Sequence, residues 1–245
     1  MNGRVTAAVT VRVLTQLRHD RRTMALMLVV PCVLMTLLWW VYSDAGALFD
    51  GIGPQLLGIF GFVVMFLVTS VTTLGERTSG TLERLFTLPM AKLDFLVGYA
   101  LAFAVVALVQ GALVAGLSVW LLGLDVAGGM GRLVGVAVLS GLLGTALGLA
   151  VSAFAATEFQ AVQFMPAFVL PQLLVCGLLV PTDQLPDVLE WVSYVTPLTY
   201  AVDAASQVAA HADWTSDLTV DVLVLVGFVV AALLLGSATL RRRTP

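Results

Sequence analysis

The sequence predicts an all-α membrane protein, and three observations carry that prediction. Hydrophobic residues make up 60% of the 245 and charged residues only 11%, against about 45–50% and about 25% in soluble domains. Six apolar stretches, residues 24–42, 56–74, 95–122, 133–154, 163–179 and 220–240, match the roughly 20 residues of helix that cross a hydrocarbon core. Lys and Arg sort to one side of this map. Arg4, Arg12, Arg18, Arg21 and Arg22 precede the first stretch. Arg77, Arg84 and Lys92 lie between the second and third, and Arg241, Arg242 and Arg243 follow the sixth. Only Arg132 breaks the pattern. The positive-inside rule then places both termini in the cytoplasm, with connection 75–94 inside and 180–219 outside. The expectation is one membrane domain over residues 1–245, with six transmembrane helices, multi-pass in the cytoplasmic membrane.

The first element is residues 5–19. Val5, Val9, Val13 and Leu17 recur every four residues, with Arg12, Gln16 and His19 off the stripe. An amphipathic interfacial helix on the inner leaflet is expected. Span 24–42 exceeds the roughly 7–15 residues of a signal-peptide core, and no cleavage pattern follows, so it is expected to stay uncleaved. Span 56–74 is entered through Gly51, Gly53 and Pro54, a breaker cluster. It ends in Thr69, Ser70, Thr72 and Thr73, whose hydroxyls can bond back to their own helix. Span 133–154 carries Ser140, Gly144, Gly148 and Ser152 every fourth residue, a small-residue groove for close helix packing in lipid. Gln110, Gln163 and Gln172 at membrane depth are expected to face the interior. Within the external segment, residues 187–195 and 199–209 read as two short helices divided by prolines, both expected to dip into the outer interface. Trp39, Trp40, Trp120, Trp191 and Trp214 all fall near the outer face, where an indole is half buried and its N–H stays wet.

Connection 75–94 holds one further element. Gly80 is expected as an N-cap, with Glu83 near the positive helix end, and Pro89 stops the helix. This leaves a helix of about two turns over residues 81–87, with Leu82, Leu85 and Phe86 on one face and Glu83 and Arg84 elsewhere. So short a helix needs a partner surface. From the residues alone, the membrane domain or a cytoplasmic protein could supply it.

Several chemistries find no support in the residues. Lys92 is the only lysine and no Gly-x-x-x-x-Gly-Lys-Ser/Thr loop occurs, so the phosphate cradle of an ATPase is missing from this sequence. His19 and His211 form no His-Glu-x-x-His pattern, no Gly-x-Ser-x-Gly elbow exists, and Cys32 and Cys176 lie in separate spans without metal-type spacing. A clustered basic face for nucleic acid is also lacking. The Arg241–Arg243 run reads as an anchor on anionic lipid. A passive channel, a membrane scaffold and an intramembrane enzyme remain the competing classes.

At this point the motifs resemble a known family. Glu76, Arg77, Gly80, Thr81, Leu82, Glu83, Arg84, Leu85, Phe86 and Pro89 fall in a stretch that resembles the first cytoplasmic loop of type-2 ABC exporter permeases, the ABC-2 membrane family. Pro186, Trp191, Pro197, Leu198, Thr199, Tyr200 and Asp203 are similar to the external segment before that family's last span. The resemblance implies that the loop is a coupling helix docking on an ABC ATP-binding subunit. It further implies two copies of that subunit, which carry ATP and Mg, and a second permease copy, identical or a close paralogue. No cofactor is expected in this chain, which would be a transport subunit without its own ATPase site. The implied cargo is a hydrophobic or amphipathic compound, as in the actinobacterial drug and antibiotic export branch, with lipid-linked or polysaccharide cargo as the alternative. The chain departs from the family where a basic residue is common: Tyr99 follows Gly98, and Ser206 and Gln207 follow the Asp203 motif.

Overall fold

The computed structural model describes residues 3–80 and 91–239. Apolar sequence with few breakers, in a medium that cannot satisfy a free backbone, forms helices, and nine α-helices account for nearly all the described residues. They are α1 (Gly3–His19), α2 (Arg21–Val41), α3 (Gly46–Thr78), α4 (Lys92–Gly116), α5 (Met130–Ser152), α6 (Glu158–Val175), α7 (Asp187–Val195), α8 (Pro197–Ala210) and α9 (Ser216–Thr239). Among the described residues, five helices are long and apolar enough to cross a membrane: Arg21–Val41, Gly46–Thr78, Leu93–Leu121, Met130–Ser152 and Ser216–Gly236. The stretch expected as the fifth span forms α6, 18 residues long, with Pro166 and Pro171 inside it. It begins at Glu158 rather than Gln163 and so takes in Gln160 as well, which makes it more polar than the other five.

Local chemistry sets the boundaries. Asp20 separates α1 from α2, its carboxylate accepting from the Thr23 amide at 3.1 Å and the Thr23 hydroxyl at 2.5 Å. These bonds hold its carboxyl below the usual aspartate range. The glycine–proline cluster at 51–54 does not break the chain and lies inside α3. A Cβ on Gly53 would sit 2.9 Å from Leu124 Cδ1, so the glycine seats the α4–α5 connection. At 33 residues, α3 is about 50 Å long and overruns a core of about 30 Å. Its last turns, with Glu76 and Arg77, are therefore helix and not loop.

The bundle is organised around α3 and α5, which share the most extensive contact. Here the small-residue stripe lies against backbone. A Cβ on Gly144 would fall 2.2 Å from the Phe62 carbonyl oxygen, and one on Gly148 2.6 Å from that of Phe66. Ser140 and Ser152 are buried and donate to the carbonyls of Val136 and Leu149 at 2.9 and 2.7 Å.

Three expectations are corrected by the packing. The stripe of α1 faces protein, not the leaflet: Val9, Val13 and Leu17 are buried in one cluster with Phe95, Tyr99 and Phe103 of α4. The second external helix does not rest in the interface, since Leu198, Ala201, Val202, Ala205 and Val208 of α8 are buried against α3, α5 and α9. Its small residues make that insertion possible. Gln110 and Gln172 are buried, but Gln163 is exposed, because it lies on the outward face of α6 near its polar start.

Arg132, the exception to the charge pattern, has a local role. Its Nη1 donates to the Ala212 carbonyl at 2.6 Å, beside the amides of Ala127 and Gly128, which donate to Ala209 and Val208 at 3.0 and 2.8 Å. The two amides satisfy orphan carbonyls at the C-terminus of α8, and Arg132 ties down the segment just past it.

Candidate functional site

Two helices carry the feet of the connection that drew the functional reading. Residues 81–90, with Thr81, Leu82, Glu83, Arg84, Leu85, Phe86 and Pro89, lie outside the described residues. The short helix expected at 81–87 is therefore not described. The feet themselves are the end of α3 and the start of α4.

At the α3 foot, Glu76 is 3% exposed and pairs with Arg12 of α1 at 2.5 Å. Arg77 donates through Nη1 to the Ser152 carbonyl, at the end of α5. Glu158, at the start of α6, sits beside Gly75. Gly80 closes the helix: its φ is 71°, and its amide donates to the Arg77 carbonyl at 3.3 Å. A left-handed glycine just past a helix end is a C-terminal stop, so Gly80 terminates α3; the N-cap expected of it for residues 81–87 falls outside the described residues.

At the α4 foot, Asp94 is 2% exposed. It accepts from the Ala91 amide at 3.2 Å, an N-terminal cap, and from the Thr6 hydroxyl of α1 at 3.5 Å. Four residues on, Gly98 lets α1 approach: a Cβ there would lie 2.7 Å from Val9 Cβ, and its carbonyl accepts from the Thr10 hydroxyl at 3.1 Å.

The junction is polar and partly unsatisfied. Among the described residues, Arg12 Nη1, Thr69 Oγ1 and Thr73 Oγ1 are buried without a hydrogen-bond partner, and the Tyr99 hydroxyl and Glu76 Oε2 are buried with no partner but each other. Ser70 bonds back to its own helix at Leu67, as hydroxyls in helices do; Thr69 and Thr73 do not. These buried polar atoms lie on three helices, α1, α3 and α4. Sequence reasoning named Glu76, Arg77 and Gly80 but missed Arg12, Thr6, Thr10, Asp94 and Tyr99. A signal existed for Arg12, a cation at the border of the apolar stripe between Val9 and Val13.

The external motif forms a second constellation. Pro186 precedes α7, and Pro197 opens α8. Trp191 is 74% exposed and stacks edge-on with Tyr194 at 6.2 Å. The Tyr200 hydroxyl donates to the Tyr194 carbonyl at 2.8 Å, and the Thr196 and Thr199 hydroxyls pair at 2.8 Å. These bonds join α7 to α8, and Leu198 anchors α8 in the core. Asp203 is half-buried near Gly177, whose φ of 89° ends the turn after α6. Burial pushes the Asp203 carboxyl up to about 6.

A family model described as ABC-2 type transporter matches residues 4–209, from α1 through nearly the whole of α8. The chain belongs to the ABC-2 type transporter family. It is similar to the probable multidrug ABC transporter permease YbhR of Escherichia coli (strain K12), at 26% identity over 155 residues, 63% of this chain and 42% of that protein. It is also similar to ABC transporter G family member 20 of Dictyostelium discoideum, at 26% identity over 67% of this chain and 23% of that one. G family member 23 of the same organism matches at 25% identity over 64% and 22%. The chain thus spans less than half the length of these curated relatives. The ABC-2 match covers both feet of the loop and the external motif, so both constellations belong to the family domain of a multi-pass membrane protein.

Proposed function

We propose that this chain is the membrane-spanning permease subunit of an ATP-driven exporter. It moves a hydrophobic or amphipathic compound (a drug, antibiotic or lipid-like molecule) across the cytoplasmic membrane. The observation that carries this reading is the ABC-2 match over residues 4–209 on a bundle of apolar helices that lacks a phosphate-binding loop in its sequence. Hydrolysis falls to a separate ABC ATP-binding subunit, two copies of which serve two permease copies and hold ATP and Mg. The chain itself carries no ATPase site in this reading. The naming of YbhR as a multidrug permease supports the cargo class.

In this mechanism the loop between α3 and α4 receives force from the ATP-binding subunits. Leu82, Leu85 and Phe86 seat it in an apolar groove, and Glu83 and Arg84 orient it. Because Glu76 and Arg77 are the last turns of α3, a push on the loop acts directly on the central helix of the bundle. Spans one, two and five then shift against the second permease copy and open a path for cargo.

The test is purification of the tagged chain from its native membrane, followed by reconstitution in liposomes loaded with ATP outside. An ABC ATPase should copurify, and lipophilic dye should accumulate only with ATP. Reversing both Glu83 and Arg84 should uncouple hydrolysis from dye movement. A chain that moves dye with no ATPase attached ends this reading.

A further inference from the structure

The two feet of the 80–91 connection are far apart in α3 and α4 sequence but share one contact partner, α1. Glu76 on the α3 side is held by Arg12 at 2.5 Å. Asp94 and Gly98 on the α4 side are held by Thr6 at 3.5 Å and Thr10 at 3.1 Å. Between these polar contacts, Val9 and Val13 are buried in the cluster that contains Phe95 and Tyr99. The missing side chain of Gly98 brings α1 to within 3.1 Å of a Cβ position, measured to the Thr6 carbonyl. Residues on one side of α1 thus meet both ends of the same connection.

A buried ion pair loses much of its attraction to desolvation, and apolar residues of like volume often pack there as stably. Register between the elements it joins is the best-attested use of such a pair. Arg12 keeps 32% of its side chain exposed while Glu76 is 3% exposed, so the arginine reaches in from the surface to fix a carboxylate that cannot reach water. Tyr99 of α4 lies in the electrostatic field of the same carboxylate. Glu76 is therefore the point where α1, α3 and α4 meet.

We infer that α1 is a brace that ties both feet of the coupling connection into one unit, with Arg12 as the positioning residue that sets the α3 foot against the α4 foot. Movement of either foot is then transmitted to the other through α1, and the loop acts on α3 and α4 together. This inference rests on the reading of the loop as a coupling element, but its geometry does not require the ATP-binding subunit.

Amide hydrogen exchange on the full chain in lipid nanodiscs, with no ATP-binding subunit present, tests it directly. Arg12→Ala should speed exchange by about tenfold or more at residues 75–80 and also at 94–99, since local opening follows the weakest tie. The swap R12E/E76R should return both feet to within about threefold of the starting chain. Thr6→Val with Thr10→Val touches only the α4 side and introduces no charge. It should nonetheless speed exchange at the α3 foot, because coupling between sites is reciprocal. If Arg12→Ala loosens only the α3 foot or neither foot, the brace is overturned. Failure of the swap to restore order, or a threonine effect confined to 94–99, overturns it equally. Should Arg12→Ala not insert in the membrane, the threonine pair decides alone. A chain with coupled exchange that binds no ABC ATPase keeps the brace and refutes the proposed function, so the two failures are distinct.

Discussion

Gly144 shows how far a single hydrogen atom in place of a methyl can decide packing. The Phe62 carbonyl oxygen lies 2.2 Å from where its Cβ would be, and rigid backbone cannot yield as a flexible side chain can. Gly144→Ala should cost about 1–3 kcal/mol by overpacking, read as a lowered unfolding midpoint in detergent. Gly135 of the same helix meets nothing within 4 Å. Gly135→Ala should leave the midpoint unchanged or raise it by up to about 1 kcal/mol equivalent, through the better helix propensity of alanine. Equal losses at both sites would mean that the α3–α5 contact is looser than described. Asp203 makes a pH statement at the same scale. Its folded-state pKa is raised above the ordinary 3.8 to about 6 by burial. The folded state therefore binds the proton more tightly, and the stability this confers is complete below about 4 and lost as pH rises through about 6. Unfolding midpoints across that window should fall with pH in the natural chain, and Asp203→Asn should flatten the slope.

At the scale of the element, α7 presents the clearest unpaired face. Val188, Trp191 and Val195 are 74%, 74% and 69% exposed, and their spacing puts them on one side of a nine-residue helix. In water that face would be costly; at the outer headgroup level it is stabilising. With the other four tryptophans replaced by Phe, Trp191 emission should be blue-shifted and quenched by spin labels placed near the headgroups. Quenching by aqueous iodide instead would put α7 in water. The two external helices differ for a visible reason. Bulky residues on α7 have no groove to enter, whereas the alanines of α8 fit against Gly58, whose Cβ position is 3.4 Å from the Ala201 carbonyl. Periodicity revealed both helices and an apolar face on each, but not which face would find protein.

For the whole molecule, sidedness is the property on which function depends. From the charge pattern we propose that the feet of the loop face the cytoplasm and α7 the outside. In a chain with Cys32 and Cys176 replaced, Ser79→Cys should label with a membrane-impermeant maleimide only after cells are opened, and Asp183→Cys should label in intact cells. The reverse pattern would remove the coupling role of the connection, because no cytoplasmic ATPase could reach it. Arg132 had weighed against this orientation as a lone cation on the other side. Its bond to the Ala212 carbonyl, just past the end of α8, gives it a local structural role.

The residues by themselves determined the class of this protein: a chain of such apolar content has to hide its backbone in helices, and the cations sort by side because charge crosses lipid at great cost. They also marked the loop motif and the external motif as places of interest. Tertiary structure decided what touches what. It made Glu76 a buried partner of Arg12, turned the α1 stripe from lipid toward α4, sank α8 into the bundle and carried α3 through its glycine–proline cluster. The physical reason is that periodicity specifies which side of a helix is apolar, while lipid and protein offer that side nearly the same solvation. Only the shapes of the neighbouring helices, set by small residues such as Gly98 and Gly144, settle which of the two it meets.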